Sequence, residues 1–222
     1  MGTLHALIAD IKDSCDIPEW ELIPADKIPT LAQKCGPQEI AELIEELEAL
    51  DDADLEDDCG DGIDDYWQLR TFFSQVLAQI GEPAVPPLIE ALKSSNPQTR
   101  AYVARSLGLI GTPQAIEPIV RLLETEPDFD AKLSFIAALG EIGDPCAVEI
   151  LLPYVHPPEQ QNRHSIIAVT VQALERIGTE EVLQPLFLLW EFDPDPYVRR
   201  CAADALKAIT TRGGPSSRKA FG

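Results

Sequence analysis

The stretch RAYVARSLGLIGTPQAIEPIVRLLE, residues 100–124, is the unit that most of this chain repeats. Its first half carries Leu107 and Ile110 at helical spacing and stops at Gly111, and the chain restarts through Pro113 into a second apolar segment. Glycine accepts the left-handed conformation that ends a helix, and proline is tolerated in the first turn of the next helix. The stretch therefore predicts a hairpin of two α-helices.

The same corner recurs along the chain at a nearly constant interval. Isoleucine–glycine pairs stand at residues 80–81, 110–111, 142–143 and 177–178, and Ile209 follows Ile177 by 32 residues with Thr210 in place of the glycine. Self-similarity with such a period is typical of solenoids, in which each hairpin buries its apolar face against its neighbours. We therefore predict an all-α fold, a right-handed α-solenoid of short helical hairpin repeats.

Two sets of charged residues recur with the repeat. Aspartates that can cap the free amides of a following helix stand at Asp128, Asp193 and Asp195. Basic residues stand ten positions before a corner isoleucine at Arg70, Arg100, Lys132 and Arg199. Because both sets follow the repeat, we interpret them as structural.

Three segments of the predicted organisation surround or interrupt the regular copies. Residues 1–25, which include Trp20, are interpreted as an N-terminal cap that wraps the open end of the solenoid. The solenoid is predicted to span residues 26–211 and to begin with a degraded capping repeat, and residues 212–222 are predicted to be a disordered tail. An insertion at residues 51–65 makes the interval from Gly36 to Gly81 45 residues long.

The acidic residues of the chain concentrate in its N-terminal third. Residues 1–65 hold 20 acidic and 3 basic side chains, a net charge of −17, whereas residues 66–222 hold 18 and 14, a net charge of −4. Such a surface repels phosphate backbones, so we expect no nucleic-acid partner. The insertion does not match calcium-loop spacing, and we predict that it docks a protein partner rather than a metal. Its aspartates are Asp51, Asp52, Asp54, Asp57, Asp58, Asp61, Asp64 and Asp65.

The remaining composition argues against membrane, disulfide and metal chemistry. No segment is apolar over a bilayer's width, and Asp10 and Lys12 stand where a signal peptide is apolar, so we expect a cytoplasmic location. The five cysteines form no C-x-x-C pair, which predicts neither a disulfide framework nor a zinc site. Cys146 and Cys201 fall at small-residue positions of the repeats, which predicts buried thiols. We expect no cofactor.

The second helix of each hairpin is expected to line the concave surface of the solenoid. Its predicted binding residues, aligned on the corners, are Glu90, Lys93, Arg121, Glu124, Tyr154, His156, Phe187 and Glu191. In the fourth copy Phe187, Trp190 and Phe192 lie within six residues. Trp190 aligns with Leu92 and Leu123, which favours a core role, and an aromatic docking patch is the alternative.

The copies LGLIGTPQAIEPIVRLLE and ALGEIGDPCAVEILLPYV resemble the short HEAT-like repeats of the cyanobacterial phycobilin lyase family, of the E and F type. The resemblance covers roughly residues 65–211, and the tetratricopeptide and ankyrin signatures are missing. It implies an α-solenoid of HEAT-like repeats. Members of that family attach or detach linear tetrapyrroles on phycobiliproteins, usually as a heterodimer of two solenoids, and others act in phycobilisome breakdown or bind an iron–sulphur assembly scaffold.

No catalytic residue is assigned, because the chain has no P-loop, no dinucleotide fingerprint, no Ser-His-Asp order and no His-Glu dipeptide. We predict a non-catalytic protein-interaction scaffold linked to phycobilisome or cofactor assembly. Its partner would be a phycobiliprotein, a second HEAT-repeat subunit or an assembly scaffold. One alternative is a bilin lyase subunit, in which Arg121 or Arg163 would bind phycobilin propionates and Tyr154 or Phe187 would stack on the rings. The other is a partner of an iron–sulphur cluster assembly scaffold.

Overall fold

The computed structural model describes residues 25–49, 65–156 and 162–212, together with Leu4 and Ala6. Every regular element within these ranges is helical. The α-helices of the described residues are α1 (Ile28–Lys34), α2 (Pro37–Ala49), α3 (Asp65–Ile80), α4 (Val85–Ala91), α5 (Pro97–Ile110), α6 (Ile116–Thr125), α7 (Phe129–Ile142), α8 (Ala147–Leu151), α9 (Arg163–Ile177), α10 (Leu183–Phe192) and α11 (Pro196–Arg212). Short 3₁₀ turns occupy Ala25–Lys27, Glu82–Ala84, Pro113–Ala115, Leu152–Val155 and Glu180–Val182.

The helices pair into hairpins at the predicted corners. The glycines that end α3, α5, α7 and α9 all have positive φ, at 77° for Gly81, 74° for Gly111, 72° for Gly143 and 68° for Gly178. Residues with a Cβ rarely adopt this conformation, which explains why glycine recurs there. Helix α11 contacts α9 as first helices contact one another, and the described residues contain no second helix after it.

The chain divides into two compact units, residues 1–118 and 119–222. In the first unit α3 contacts α1 and α5, and α4 contacts α2 and α5. In the second unit α9 contacts α7 and α11, and α10 contacts α11 and the turn Leu152–Val155. First helices thus stack on first helices and second helices on second helices within each unit, which is the arrangement of repeat solenoids. The predicted all-α solenoid of helical hairpins is confirmed.

The second helices of three copies bury a common apolar stripe, with a small residue followed by two larger ones at intervals of four. In an α-helix residues i and i+4 lie one turn apart on one face, and the stripe continues into the 3₁₀ turns that adjoin α4, α6 and α8. The stripe consists of Ala84, Leu88 and Leu92, of Ala115, Ile119 and Leu123, and of Ala147, Leu151 and Val155, all buried. Burying each of the larger side chains contributes about 1.5–3 kcal/mol, so this second-helix stripe is a main source of stability.

The first helices of the second unit approach closely at Gly140 of α7. A Cβ placed on Gly140 would lie 2.5 Å from both Cα and Cβ of Ala173 in α9. Only a residue without a side chain lets the two backbones come this close. The pair Gly140 and Ala173 therefore sets the spacing of α7 and α9.

The recurrent charged residues have the structural roles predicted for them at three positions. Arg100 donates from Nη1 to two carbonyl oxygens of the loop ahead of α5, both at 2.9 Å. Arg199 does the same to the loop ahead of α11, at 2.7 and 3.2 Å. Asp128 caps α7 by accepting the backbone N–H of Ala131 at 2.8 Å. These contacts satisfy polar groups that the helix ends leave unpaired.

The prediction of buried thiols at Cys146 and Cys201 is wrong. Cys146 is exposed and Cys201 is half-buried. Cys146 lies in the turn ahead of α8, where its backbone N–H donates to Asp144 Oδ1 at 2.9 Å. The buried position of this copy is taken by the next residue, Ala147, which begins the second-helix stripe.

Several predicted segments lie outside the described residues. They are the acidic insertion, of which only the backbone of Asp65 is described, most of residues 1–25 with Trp20, and residues 213–222. Leu4 is buried, and its backbone N–H donates to Glu42 Oε2 of α2 at 2.6 Å. Helix α11 extends to Arg212, whose Nη2 donates to Glu175 Oε1 at 2.6 Å, so the first residue of the predicted tail is helical.

Candidate protein-docking site

The predicted binding residues lie in the second-helix segments of four copies, and none of them is buried. The exposed members are Glu90, Lys93, Arg121, Glu124, His156 and Glu191, and the half-buried members are Tyr154 and Phe187. Lys93 Nζ contacts Glu90 Oε2 at 2.7 Å in the first unit. Because both side chains are mostly exposed, this pair adds little stability. Phe187 and Glu191 come together on α10 in the second unit.

Exposed large apolar side chains concentrate on α10. Five of them occur among the described residues: Leu109 at 46% exposure, Leu188 at 43%, Trp190 at 43%, Phe192 at 72% and Tyr197 at 44%. Leu188, Trp190 and Phe192 belong to α10. Leu188 and Phe192 are four residues apart and share one face of the helix, and we call these two side chains the α10 patch, whereas Trp190 lines the side next to α11. Scattered apolar side chains are normal on a protein surface, whereas several on one short helix favour an interaction site.

The core role predicted for Trp190 is wrong. The aligned residues Leu92 and Leu123 are 1% and 2% exposed, whereas Trp190 is 43% exposed. Helix α10 instead buries Leu186 and Leu189, three residues apart, so its buried face is shifted by one position. The indole is left at the edge of the helix, next to α11. The docking-patch alternative agrees with this exposure.

A groove of about 570 Å³ runs between α10 and α11 in the second unit. The residues that line this α10–α11 groove are Phe187, Trp190, Glu191, Ala203, Leu206, Lys207 and Thr210. The rings of Phe187 and Trp190 meet edge to face, with centroids 5.5 Å apart and planes at 70°. Glu191 and Lys207 are exposed and carry opposite charges. The groove is therefore apolar and aromatic, with one acidic and one basic residue.

Asp193 holds the connection between α10 and α11. Its buried carboxylate accepts hydrogen bonds from Arg163 Nη2 at 2.5 Å, from Arg163 Nη1 at 3.3 Å and from the backbone N–H of Asp195 at 2.9 Å. Asp195 in turn caps α11 through the backbone N–H of Tyr197 at 2.8 Å. The predicted structural role of both aspartates is confirmed.

The ion pair favours the charged forms of both Asp193 and Arg163. Burial alone would raise the pKa of Asp193, but hydrogen bonds from Arg163 and Asp195 outweigh burial and lower the pKa below its ordinary value. The hydrogen bond to Asp193 raises the pKa of Arg163. Arg163, one of the two arginines expected to bind bilin propionates, is thus paired with a carboxylate of its own chain.

Neither a cluster of metal-ligating side chains nor a helix long enough to span a membrane occurs among the described residues. They contain no group of three or more His, Cys, Asp or Glu side chains placed to hold a metal ion. None of the helices in the described ranges has the length and apolar content needed to cross a membrane. A smaller depression of about 300 Å³ includes Arg176 and Arg212, whose guanidinium groups are paired with Glu141 and Glu175.

Reasoning from the sequence missed the α11 wall of the groove, which is formed by Ala203, Leu206, Lys207 and Thr210. The sequence holds a signal only for the opposite wall, since tryptophan at position 190 is larger than the leucine or valine of the aligned copies.

Comparisons with known proteins place these repeats in a family. A family model described as HEAT repeats matches residues 61–139 and, in a second alignment, residues 85–169. A HEAT repeat-containing taxis protein of Halobacterium salinarum is 32% identical over 68 residues, which make up 31% of this chain and 17% of that protein. The chain thus spans less than a fifth of that relative.

A solved structure supports the fold. The crystal structure of an engineered protein superposes with a TM-score of 0.50 over 95% of this chain and 91% of the engineered chain, at 18% identity. At this identity the likeness concerns the fold alone. None of the three matches described is to a phycobilin lyase. The hairpins, their corner glycines and the family match together show that the repeats of residues 61–169 are HEAT repeats.

Proposed function

We propose that this chain is a non-catalytic interaction scaffold that binds a protein partner through the α10 patch and the adjoining α10–α11 groove. The observation that carries the proposal is that three of the five exposed large apolar side chains of the described residues lie on one helix. Exposed apolar side chains concentrated on one surface element favour an interaction site, and Trp is a frequent anchor of interfaces.

The charge of the chain narrows the kind of partner. Glu191 belongs both to the predicted second-helix face and to the groove. The acidic insertion at residues 51–65 adds nine acidic side chains in a single run. Opposite charges steer association and suppress wrong partners, so the partner we propose has an apolar anchor flanked by basic residues.

The resemblance to phycobilin lyases leads to a finer proposal, in which the partner belongs to phycobilisome assembly or breakdown. The groove is lined by the aromatic side chains of Phe187 and Trp190 and by Lys207, a lining that suits a planar tetrapyrrole with carboxylates and supports the bilin lyase alternative. Co-expression with an apo-phycobiliprotein and phycocyanobilin separates the two ideas. A covalently coloured phycobiliprotein supports the lyase, and an uncoloured stable complex supports the scaffold.

The iron–sulphur alternative has its own readout. A partner of an assembly scaffold should co-purify, under anaerobic conditions, in a complex whose ultraviolet–visible spectrum shows iron–sulphur bands. A colourless complex would remove this alternative. The same preparation identifies the partner by mass spectrometry.

The experiment that tests the proposed scaffold compares how much of the protein partner co-purifies with each of two surface variants of the chain. The test variant is Leu188→Ser with Phe192→Ser on α10, and the control is Leu109→Ser on α5, whose side chain is similarly exposed. Truncating an interface anchor weakens binding by about 1–2 kcal/mol, roughly tenfold per residue. We expect the α10 variant to lose the partner and the control to retain it. Equal recovery by both variants would contradict the proposal.

A further inference from the structure

We infer that the α10–α11 groove is the interface of a symmetric dimer, and that a second copy of this chain occupies it. This occupant is the chain itself, whereas the proposed function concerns a separate protein. A two-fold axis places the same surface on both sides of an interface, so that surface must complement itself. The charged and the apolar side chains of the groove both meet this requirement.

The groove carries two opposite charges that the rest of the described structure leaves unpaired. Glu191 lies on the α10 wall and Lys207 on the α11 wall, and both side chains are exposed. Within the described residues neither side chain makes an ion pair or a hydrogen bond. A two-fold axis perpendicular to the line that joins the two groups exchanges their positions, and so brings Glu191 of each copy to Lys207 of the other. The dimer therefore pairs both charges of both grooves.

The side chains beside these two charges differ in size. Trp190 adjoins Glu191 on the α10 wall, and its indole is 43% exposed. On the α11 wall, Ala203 and Thr210 share the helix face of Lys207, and both are small and half-buried. The axis that brings Glu191 to Lys207 therefore also brings the indole of one copy to the small side chains of the other. Large side chains facing small ones let two surfaces interdigitate.

A second copy also satisfies the polar groups that it covers. The hydroxyl group of Thr210 already donates to the carbonyl oxygen of Leu206 in its own helix, at 2.8 Å. Burying a charge is costly unless it is paired, and the dimer pairs both Glu191 and Lys207. A basic segment of a separate protein, by contrast, matches only Glu191. Because the proposed protein partner uses the same groove, dimerisation and partner binding compete.

Sedimentation velocity of the purified full chain over a range of concentrations tests this inference. We expect a species of twice the 24.4 kDa mass of one chain, which dissociates on dilution. Glu191→Lys and Lys207→Glu each place like charges opposite one another across the axis, and each should weaken dimerisation about tenfold or more. The matched control is Glu149→Lys, which makes the same change of charge at an exposed position of α8 and should leave dimerisation unchanged.

Mixing the two groove variants gives a readout that misfolding of a variant cannot imitate. In a dimer of one Glu191→Lys chain with one Lys207→Glu chain, each side chain at position 191 faces a side chain of opposite charge at position 207. The equimolar mixture should therefore dimerise about as tightly as the unmodified chain, although each variant alone dimerises weakly.

An unmodified chain that is monomeric at every concentration, or a mixture of the two variants that fails to dimerise, would overturn the inference. Failure of the dimer and failure of the proposed function give different results. If the chain is monomeric but the variant with Leu188→Ser and Phe192→Ser loses its protein partner, the scaffold stands and the dimer is wrong. If the charge variants behave as expected but that variant keeps its partner, the dimer stands and the proposed scaffold site is wrong.

Discussion

Replacing Arg163 by methionine removes the cation that neutralises Asp193 and tests how α10 and α11 are held together. The guanidinium donates to both carboxylate oxygens, and the side chains are 23% and 2% exposed for Arg163 and Asp193. Methionine keeps much of the apolar stem of arginine and removes the charge. The carboxylate of Asp193 then remains buried without its counter-charge.

The expected loss follows from these contacts. Removing one partner of a buried ion pair costs about 3–5 kcal/mol. Here Arg163 is partly exposed, and Asp193 keeps the hydrogen bond from Asp195, so the loss should be smaller. We expect Arg163→Met to lower the free energy of unfolding by about 2 kcal/mol, or the melting temperature by about 4–8 °C.

The stabilising effect of the Arg163–Asp193 pair should depend on pH. The pKa of Asp193 is lowered on folding from its ordinary value of 3.8, so its stabilising effect is complete above that value and disappears as the pH falls through the lowered pKa. The stability difference between wild type and Arg163→Met should therefore be full at pH 7. It should shrink on acidification below the ordinary carboxyl pKa.

Urea unfolding followed by far-ultraviolet circular dichroism at pH 7 and in acid measures both effects. Lys93→Met is the matched control, because the ion pair of Lys93 with Glu90 is largely exposed and its loss should change stability by at most about 0.5 kcal/mol. A double-mutant cycle with Asp193→Asn isolates the coupling. The reasoning is refuted if Arg163→Met loses no more stability than Lys93→Met, or if the difference is unchanged in acid.

Three further predictions concern the backbone and the thiols. Gly111→Ala should lower the free energy of unfolding by about 1 kcal/mol in a thermal melt because the φ of Gly111 is 74°; a clash is not the cause, since no atom lies within 4 Å of a new Cβ. Gly111→Asn should lower the free energy of unfolding less, and equal effects of the two variants would contradict a backbone cause. Gly140→Ala should cost about 1–3 kcal/mol in the same assay, because its Cβ would overlap Ala173, and an unchanged melting temperature would show that α7 and α9 separate freely. Burial, and then the charge of Glu39, raise the pKa of Cys35 to about 11, and the hydrogen bond with Asp144 also raises the pKa of Cys146. Because Cys146 is exposed and Cys35 is half-buried, iodoacetamide at pH 8 should modify Cys146 before Cys35 in a mass-spectrometric time course, and the reverse order would contradict this environment.

The hairpins were predictable from the sequence because their determinants are local. A corner glycine with positive φ and a proline or acidic residue in the next turn end one helix and start another wherever they occur. The last helix, for example, runs from Pro196 to Arg212 and ends within one residue of the predicted end of the solenoid at residue 211. The same locality explains why the roles of Asp193, Asp195 and Arg199 could be read from their positions.

The groove could not be predicted, because it depends on what covers each helix rather than on the helix itself. Trp190 has a core position by alignment, and only the burial of Leu186 and Leu189 turns its ring outward. The burial prediction for Cys146 failed for a related reason. A one-residue shift in the turn ahead of α8 puts Ala147, rather than Cys146, at the buried position. An alignment of repeats does not reveal such shifts, whereas packing does.

The measurement that tests the central claim most directly is photo-crosslinking from two exposed apolar positions in the source cell. The photoreactive residue p-benzoylphenylalanine replaces Phe192 on α10 in one chain and Leu109 on α5 in the other. We expect a covalent adduct with one protein from position 192 and none from position 109. Adducts of equal yield from both positions, or adducts from position 109 alone, would contradict it.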